Sequence, residues 1–340
     1  VVAARRILAI QLKRLGDLVL TTPALAALRD SGARVTLVTE PPFDQALEAG
    51  PDGADIRRHP RGWAASLRFG EELRSEKFDV AIDFQGSATS ARLAWQSGAR
   101  TRVGWQLRGR RLAYTLAVDR MEDGPPRHTA DRKLDLVRAL GIPAMNAVPR
   151  LVLTGEERTA GRNRLVEAVR LSGQPVSDSS VLVAIPASRR EYKRWPPERM
   201  SALLDGFTAA SGAPVILVGG PGEEDQLRLV SERMARRPTV ISTESIRSLL
   251  SILGAARAVI GPDGGARQLA EALDVPTLAL FGPQNPVHWT RLDGRHRAIR
   301  GRRPDCPIRC NRGRVSCACL ATLPVEPILA ELLDLWRTVS

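Results

Sequence analysis

Short apolar runs alternate with amphipathic segments along most of the chain. Arg6 to Leu12 reads as a strand, followed by the loop KRLGD and a helix from about Thr22 to Asp30. Arg34 to Val38 predicts a second strand, and Asp79 to Phe84 (DVAIDF) another. The cycle restarts at Val181 to Ile185 (VLVAI). It continues at Pro214 to Val218, Thr239 to Ile241, Ala258 to Ile260 and Pro276 to Leu280. Strands this short and apolar, alternating with helices, predict parallel sheets covered on both faces. Between the two sets lies SGQPVSDSS, Ser172 to Ser180, whose polar residues, Gly and Pro predict a linker. The expected architecture is α/β, two Rossmann-like doubly wound domains facing each other across a cleft. They would span 1–175 and 176–324. An amphipathic helix over 325–340 would pack back toward the first domain.

Length and composition agree with this. A chain of 340 residues with 43% hydrophobic content can build two ordinary cores. No apolar run approaches the roughly 18 residues of a membrane-spanning helix. The opening VVAARRILAIQL lacks a long apolar region and a small-residue cleavage site, so it reads as a first strand and implies a cytoplasmic chain. Charge changes the picture more. The net charge is +13, and only Lys13, Lys77, Lys133 and Lys193 are lysines. The bases are scattered, with no RNP-like aromatic string, zinc-finger spacing or basic heptad helix, which argues against nucleic acid. Phosphorylated small molecules or an anionic membrane face fit better.

Open α/β sheets bind ligands at the C-terminal ends of their strands, so the loops there hold the candidate chemistry. In Lys13-Arg14-Leu15-Gly16-Asp17, Gly16 permits a tight turn and Asp17 sits near the mouth of the crevice. Thr21 and Thr22 follow, with Thr22 a natural N-cap and Pro23 a natural first helical residue. Asp17 is either a base for a hydroxyl nucleophile or a loop carboxylate bonded to local backbone N–H groups. After Ile185, PASRREYKRWPP carries Arg189, Arg190, Lys193 and Arg194, enough to neutralise a diphosphate or simply a solvated charge run. Trp195 reads as a packing anchor, and Pro196 or Pro197 can start a helix. In GGPGEED, Glu223 or Glu224 is either a partner for sugar hydroxyls or a complement to a helix dipole. In Gly261-Pro262-Asp263-Gly264-Gly265-Ala266, a Gly-rich helix start suits phosphate, or Asp263 is an ordinary N-cap. All four cysteines, Cys306, Cys310, Cys317 and Cys319, cluster as C-x3-C-x6-C-x-C, which is not the spacing of a standard zinc ribbon. They are metal ligands or reduced structural thiols.

Taken together, the segments ILAIQLKRLGDLVLTTPALAALR, KRWPPERM, VILVGGPGEE, AVIGPDGGARQLAEAL, PTLALFGPQNP and the tail ending CLATLPVEPIL resemble the bacterial heptosyltransferases of glycosyltransferase family nine. The resemblance implies a GT-B fold. It also implies inverting, metal-independent transfer of a sugar, usually from ADP-heptose, to a lipopolysaccharide-core acceptor. It puts the family's base on Asp17, its diphosphate lysine on Lys193, the acid of its GGPxxE-like turn on Glu223 and its phosphate loop on Asp263, Gly264 and Gly265. Gly16, Thr21, Thr22, Arg190 and Gln268 complete the expected substrate-binding set. No cofactor is implied. The expected partners are a nucleotide-diphosphate sugar, a glycolipid or glycan acceptor and, peripherally, an anionic membrane on its inner face. Two departures stand out. The family carries Ser or Thr at Gly264 and His at Gln268. They keep two rivals in view, an epimerase-like enzyme on the same fold and a non-catalytic sugar-nucleotide or glycolipid binding protein.

Overall fold

The computed structural model describes residues 6–48, 55–120, 124–172, 180–301 and 319–339. The chain divides into two compact units, Val1–Val152 and Leu153–Ser340. In the first the order is β1 (Arg6–Ile10), α1 (Leu15–Val19), α2 (Thr22–Asp30), β2 (Arg34–Thr39), β3 (Asp55–Arg58), α3 (Trp63–Ser75), β4 (Val80–Asp83), α4 (Ala88–Gln96), β5 (Thr101–Trp105), β6 (Leu116–Val118) and α5 (Thr129–Arg138). The strands form one six-stranded sheet in the order β3-β2-β1-β4-β5-β6, with every pair parallel. β1 lies in the middle, so both of its faces are buried. Ile7 and Ala9 join one apolar cluster with Leu25 and Leu28 of α2 and Leu134 and Val137 of α5. Leu8 and Ile10 join the opposite cluster with Phe69 and Leu73 of α3 and Leu93 of α4. Each such side chain removed from water contributes about 1.5–3 kcal/mol.

The second unit repeats the plan. It runs α6 (Gly155–Leu171), β7 (Leu182–Ala184), α7 (Pro197–Ser211), β8 (Val215–Gly219), α8 (Glu224–Ser231), β9 (Thr239–Ser242), α9 (Ile246–Ala255), β10 (Ala258–Pro262), α10 (Gly265–Ala272), β11 (Thr277–Phe281), β12 (His296–Arg300) and α11 (Val325–Thr338). Its parallel sheet has the order β9-β8-β7-β10-β11-β12. Both sheets therefore have the doubly wound Rossmann order. The order reverses between β1 and β4 in the first sheet and between β7 and β10 in the second. Ligands bind beyond the strand ends at such switch points.

Two boundaries differ from the sequence reading. The first domain ends at Val152, not near 175, because α6 packs on α9. A Cβ at Gly161 would strike the carbonyl of Ser251, so the two helices meet backbone to backbone there. Glu157 of α6 pairs with Arg247, and Arg164 donates to Ser248 Oγ at 2.9 Å. The expected linker, Ser172 to Ser180, lies mostly outside the described residues. The C-terminal helix, expected to pack back toward the first domain, is part of the second unit. Ile328, Leu332, Leu335 and Trp336 join the core of the second unit, where Trp336 meets Phe207 of α7 edge to face at 5.2 Å. Its apolar stripe identified a buried face, but not the partner that buries it.

Candidate active site

The loop after β1 leads into α1, a five-residue helix that carries Gly16 and Asp17. Gly16 is helical and takes no positive φ, so the tight-turn role expected for it is not needed. Asp17 is half-buried, in the first turn of α1. Among the described residues its carboxylate accepts no hydrogen bond from backbone N–H groups, which the purely local reading required. The N-cap of α2 is Thr21 rather than Thr22, one residue earlier than expected, with Pro23 in the second helical position. Thr22 is engaged elsewhere. Its hydroxyl donates to the Val19 carbonyl at 2.8 Å and accepts from the Arg150 N–H at 3.1 Å, tying down the end of the unit.

Behind Asp17 lies a residue the sequence reading passed over. Lys133 of α5 is 4% exposed, and its ammonium donates to the Asp17 carbonyl at 2.6 Å, Thr21 Oγ1 at 2.6 Å and Gln11 Oε1 at 2.7 Å. Burial pushes its pKa down to about 8, while the carboxylates of Asp17 and Asp83 oppose the fall. Asp83 ends β4 across the switch point. It accepts from Tyr114 Oη at 2.6 Å and from the N–H groups of Gln85 and Gly86 at 3.0 and 2.8 Å. Burial raises its carboxyl above the usual range, against those hydrogen bonds. A signal for Lys133 was present. Ala130, Lys133, Leu134 and Val137 fall at helical spacing on one buried face, so a lysine interrupts an apolar stripe.

In the second unit, the loops after β7 and β10 are joined by one contact. Lys193 Nζ donates to Asp263 Oδ2 at 2.5 Å and approaches Gln284 Oε1 at 3.4 Å. Asp263 is thus engaged by an ammonium. The N-cap of α10 is Gly264, not Asp263, and no side chain caps the helix. Gly265 opens α10, and the backbone N–H groups of this first turn are available to an anion. Gln268 is 5% exposed on the same helix, and its amide has no partner among the described residues. Lys193 and Asp263 thus meet at the start of the helix that carries Gly264, Gly265 and, one turn on, Gln268. Glu223 is the N-cap of α8, and its carboxylate accepts from the Gly220 N–H at 2.9 Å. Arg190 is exposed on the loop after β7, and its N–H approaches Ser188 Oγ at 3.4 Å. Trp195 is a buried packing anchor, as its surroundings in the sequence suggested. Among the described residues no group of three His, Cys, Asp or Glu side chains is placed to hold a metal. Cys306, Cys310 and Cys317 lie outside the described residues, and Cys319 is buried.

Comparison with known proteins shows the family to which the chain belongs. The model of glycosyltransferase family 9 (heptosyltransferase) matches residues 66–314. The chain belongs to that family. A family 9 chain is a glycosyltransferase, and its two Rossmann-like sheets are those of the GT-B class. The lipopolysaccharide heptosyltransferase 1 of Escherichia coli K12 is 27% identical over 299 residues, covering 83% of this chain and 89% of the relative. A family 9 glycosyltransferase structure from Veillonella parvula superposes with a TM-score of 0.82 at 23% identity, over 99% of each chain. The E. coli ADP-heptose lipopolysaccharide heptosyltransferase II superposes with a TM-score of 0.75 at 18% identity, over 98% of this chain and 99% of the other. Within this family 9 chain, the departures at Gly264 and Gln268 lie at the N-cap and first turn of α10, and the Lys193–Asp263 ion pair is in place.

Proposed function

We propose that the protein transfers heptose from ADP-heptose to a hydroxyl of a lipopolysaccharide-core or related glycan acceptor, with inversion and without a metal. The first unit handles the acceptor and the second the nucleotide sugar. The observation that carries this reading is the Lys193–Asp263 pair at the uncapped start of α10, at the switch point of the second sheet. An ammonium beside free helical N–H groups is suited to a diphosphate. The named heptosyltransferases among the relatives supply the donor and the acceptor class. In the reaction, Asp17 takes the proton of the acceptor hydroxyl. The oxygen forms its bond to the anomeric carbon as the bond to the diphosphate breaks on the opposite face. The electron pair leaves with ADP, whose growing charge meets Lys193 and the α10 N–H groups.

Calorimetry across ADP-, UDP-, GDP- and dTDP-sugars tests the donor. ADP-heptose should bind in preference to the others. Failure of ADP and of every sugar nucleotide to bind at millimolar concentration would sink the donor site and favour the non-catalytic alternative.

The phosphate loop gives a second expectation. Gly264 has φ −165°, ψ 166°, extended backbone open to any residue, and a Cβ there would meet only the Pro262 carbonyl at 3.8 Å. A serine at this N-cap can bond the free N–H groups of α10. Gly264→Ser should therefore raise stability by a few tenths of a kcal/mol. It should also tighten donor binding modestly. A fall in melting temperature together with weaker donor binding would show that the loop needs the glycine.

We also propose that the protein works in the cytoplasm, on the inner face of the inner membrane. No helix among the described residues is long and apolar enough to cross a membrane. Between Asp83 and Asp119 the first unit carries six arginines and no acidic residue. The same unit exposes Trp63 (70%), Trp95 (60%) and Leu112 (93%). Arginine with exposed aromatic and apolar side chains suits an anionic bilayer surface. Binding to anionic vesicles should weaken as salt shortens the screening length to about 8 Å at physiological strength. Binding that is indifferent to salt, or equal on neutral vesicles, contradicts this.

A further inference from the structure

The geometry points to a role for Lys133: we propose that it is a positioning residue for the transfer reaction, holding the turn that carries Asp17 by that residue's own carbonyl. The proposal rests on the reading of Asp17 as the base.

The short helix α1 closes few bonds of its own. The Leu18 N–H reaches the Arg14 carbonyl and the Leu20 N–H the Gly16 carbonyl, but the Thr21 N–H turns back to Leu18. The Asp17 carbonyl is thus left without the backbone partner that a longer helix would give it. Two side chains take its place. Thr21 Oγ1 donates to it at 2.7 Å and Lys133 Nζ at 2.6 Å. The other two N–H groups of the ammonium go to Gln11 Oε1 and Thr21 Oγ1, so all three donors are used. Gln11 passes the constraint along the loop, since its Nε2 donates to the Lys13 carbonyl at 2.7 Å. The Lys13 N–H in turn donates to Gln85 Oε1 at 2.8 Å, in the loop after β4. One ammonium therefore pins Gln11, Asp17 and Thr21, and through Gln11 it ties the loop after β1 to the loop after β4.

An apolar residue would serve the core better. Leu134, Leu136 and Val137 around Lys133 are fully buried, and taking an ammonium out of water is costly. What the ammonium gives in return is the fixed position of the one residue whose carboxylate must meet a hydroxyl proton. Displacement of a reacting group by about 1 Å can cost up to 10²-fold in rate.

The test is a cycle of Lys133→Met, Asp17→Asn and the double variant, with melting temperatures recorded for each. Lys133→Met should lower kcat roughly 10- to 100-fold and leave the donor KM nearly unchanged. In the Asp17→Asn background the same substitution should have almost no further effect, because the group it positions no longer acts. Thr21→Val, which removes the other donor to the Asp17 carbonyl, should repeat the pattern and serves if Lys133→Met does not fold. Equal losses in both backgrounds would show a general structural role and overturn the proposal. So would an unchanged kcat in a folded Lys133→Met enzyme. If Asp17→Asn alone turns over at the wild-type rate, the base assignment itself fails, and the single variant identifies that failure.

Discussion

Asp17→Asn should lower the rate of transfer by roughly 10²–10⁴, the usual contribution of a general base. Donor affinity should stay near that of the unsubstituted protein. Asparagine has almost the same shape as aspartate but cannot accept a proton at neutral pH. The hydrogen bonds that hold the α1 turn involve the Asp17 carbonyl, not its carboxylate, so they survive the change. The loss should therefore fall on kcat rather than on stability or nucleotide binding. Rate measurements at saturating donor and acceptor check this. A variant that turns over normally removes Asp17 from the chemistry.

Lys193→Ala should weaken donor binding by about 10- to 100-fold, since a hydrogen bond to a charged group is worth about 1.5–3 kcal/mol. The ion pair sharpens the expectation. In the free protein Lys193 Nζ is already bonded to the Asp263 carboxylate, which is almost fully buried. Without the lysine, that carboxylate remains beside the phosphate loop and repels the incoming diphosphate. Asp263→Asn added to Lys193→Ala should recover part of the lost affinity. Isothermal titration with ADP-heptose reads both effects. The same account expects turnover to continue in a chelator, with an ammonium and helix N–H groups meeting the leaving charge. Complete inhibition by EDTA, restored by magnesium, would assign that task to a metal instead.

The residues that were legible in the sequence share a physical reason. β1, β4, β7, β8, β10 and β11 lie inside their sheets, are covered on both faces and read as apolar runs. β3 (DIRR) and β12 (HRAIR) are edge strands with one neighbour each, and their arginines reach solvent, so no apolar run marks them. The site divides in the same way. Asp17, Lys193 and Asp263 follow strand ends at the switch points, where sequence order alone puts them near a ligand. The local reading of Asp263 as an N-cap failed because Gly264 takes that position and frees the carboxylate for Lys193, 70 residues away in the chain. Glu223 bonds a backbone N–H only three residues away, at Gly220, a contact within reach of local sequence reasoning. Lys133 and Gln11 are the hardest case. Each is a polar residue on a buried position, visible as a break in an apolar pattern, but their partners lie 122 residues apart. Only the folded sheet, with α5 packed beside α2, brings them together.

The most direct test follows ADP release from ADP-heptose with and without an acceptor that offers a free core hydroxyl. The account predicts ADP release only when the acceptor is present, one ADP per heptosylated product, with the anomeric configuration inverted. ADP released at the same rate without acceptor, or no release under either condition, would contradict it.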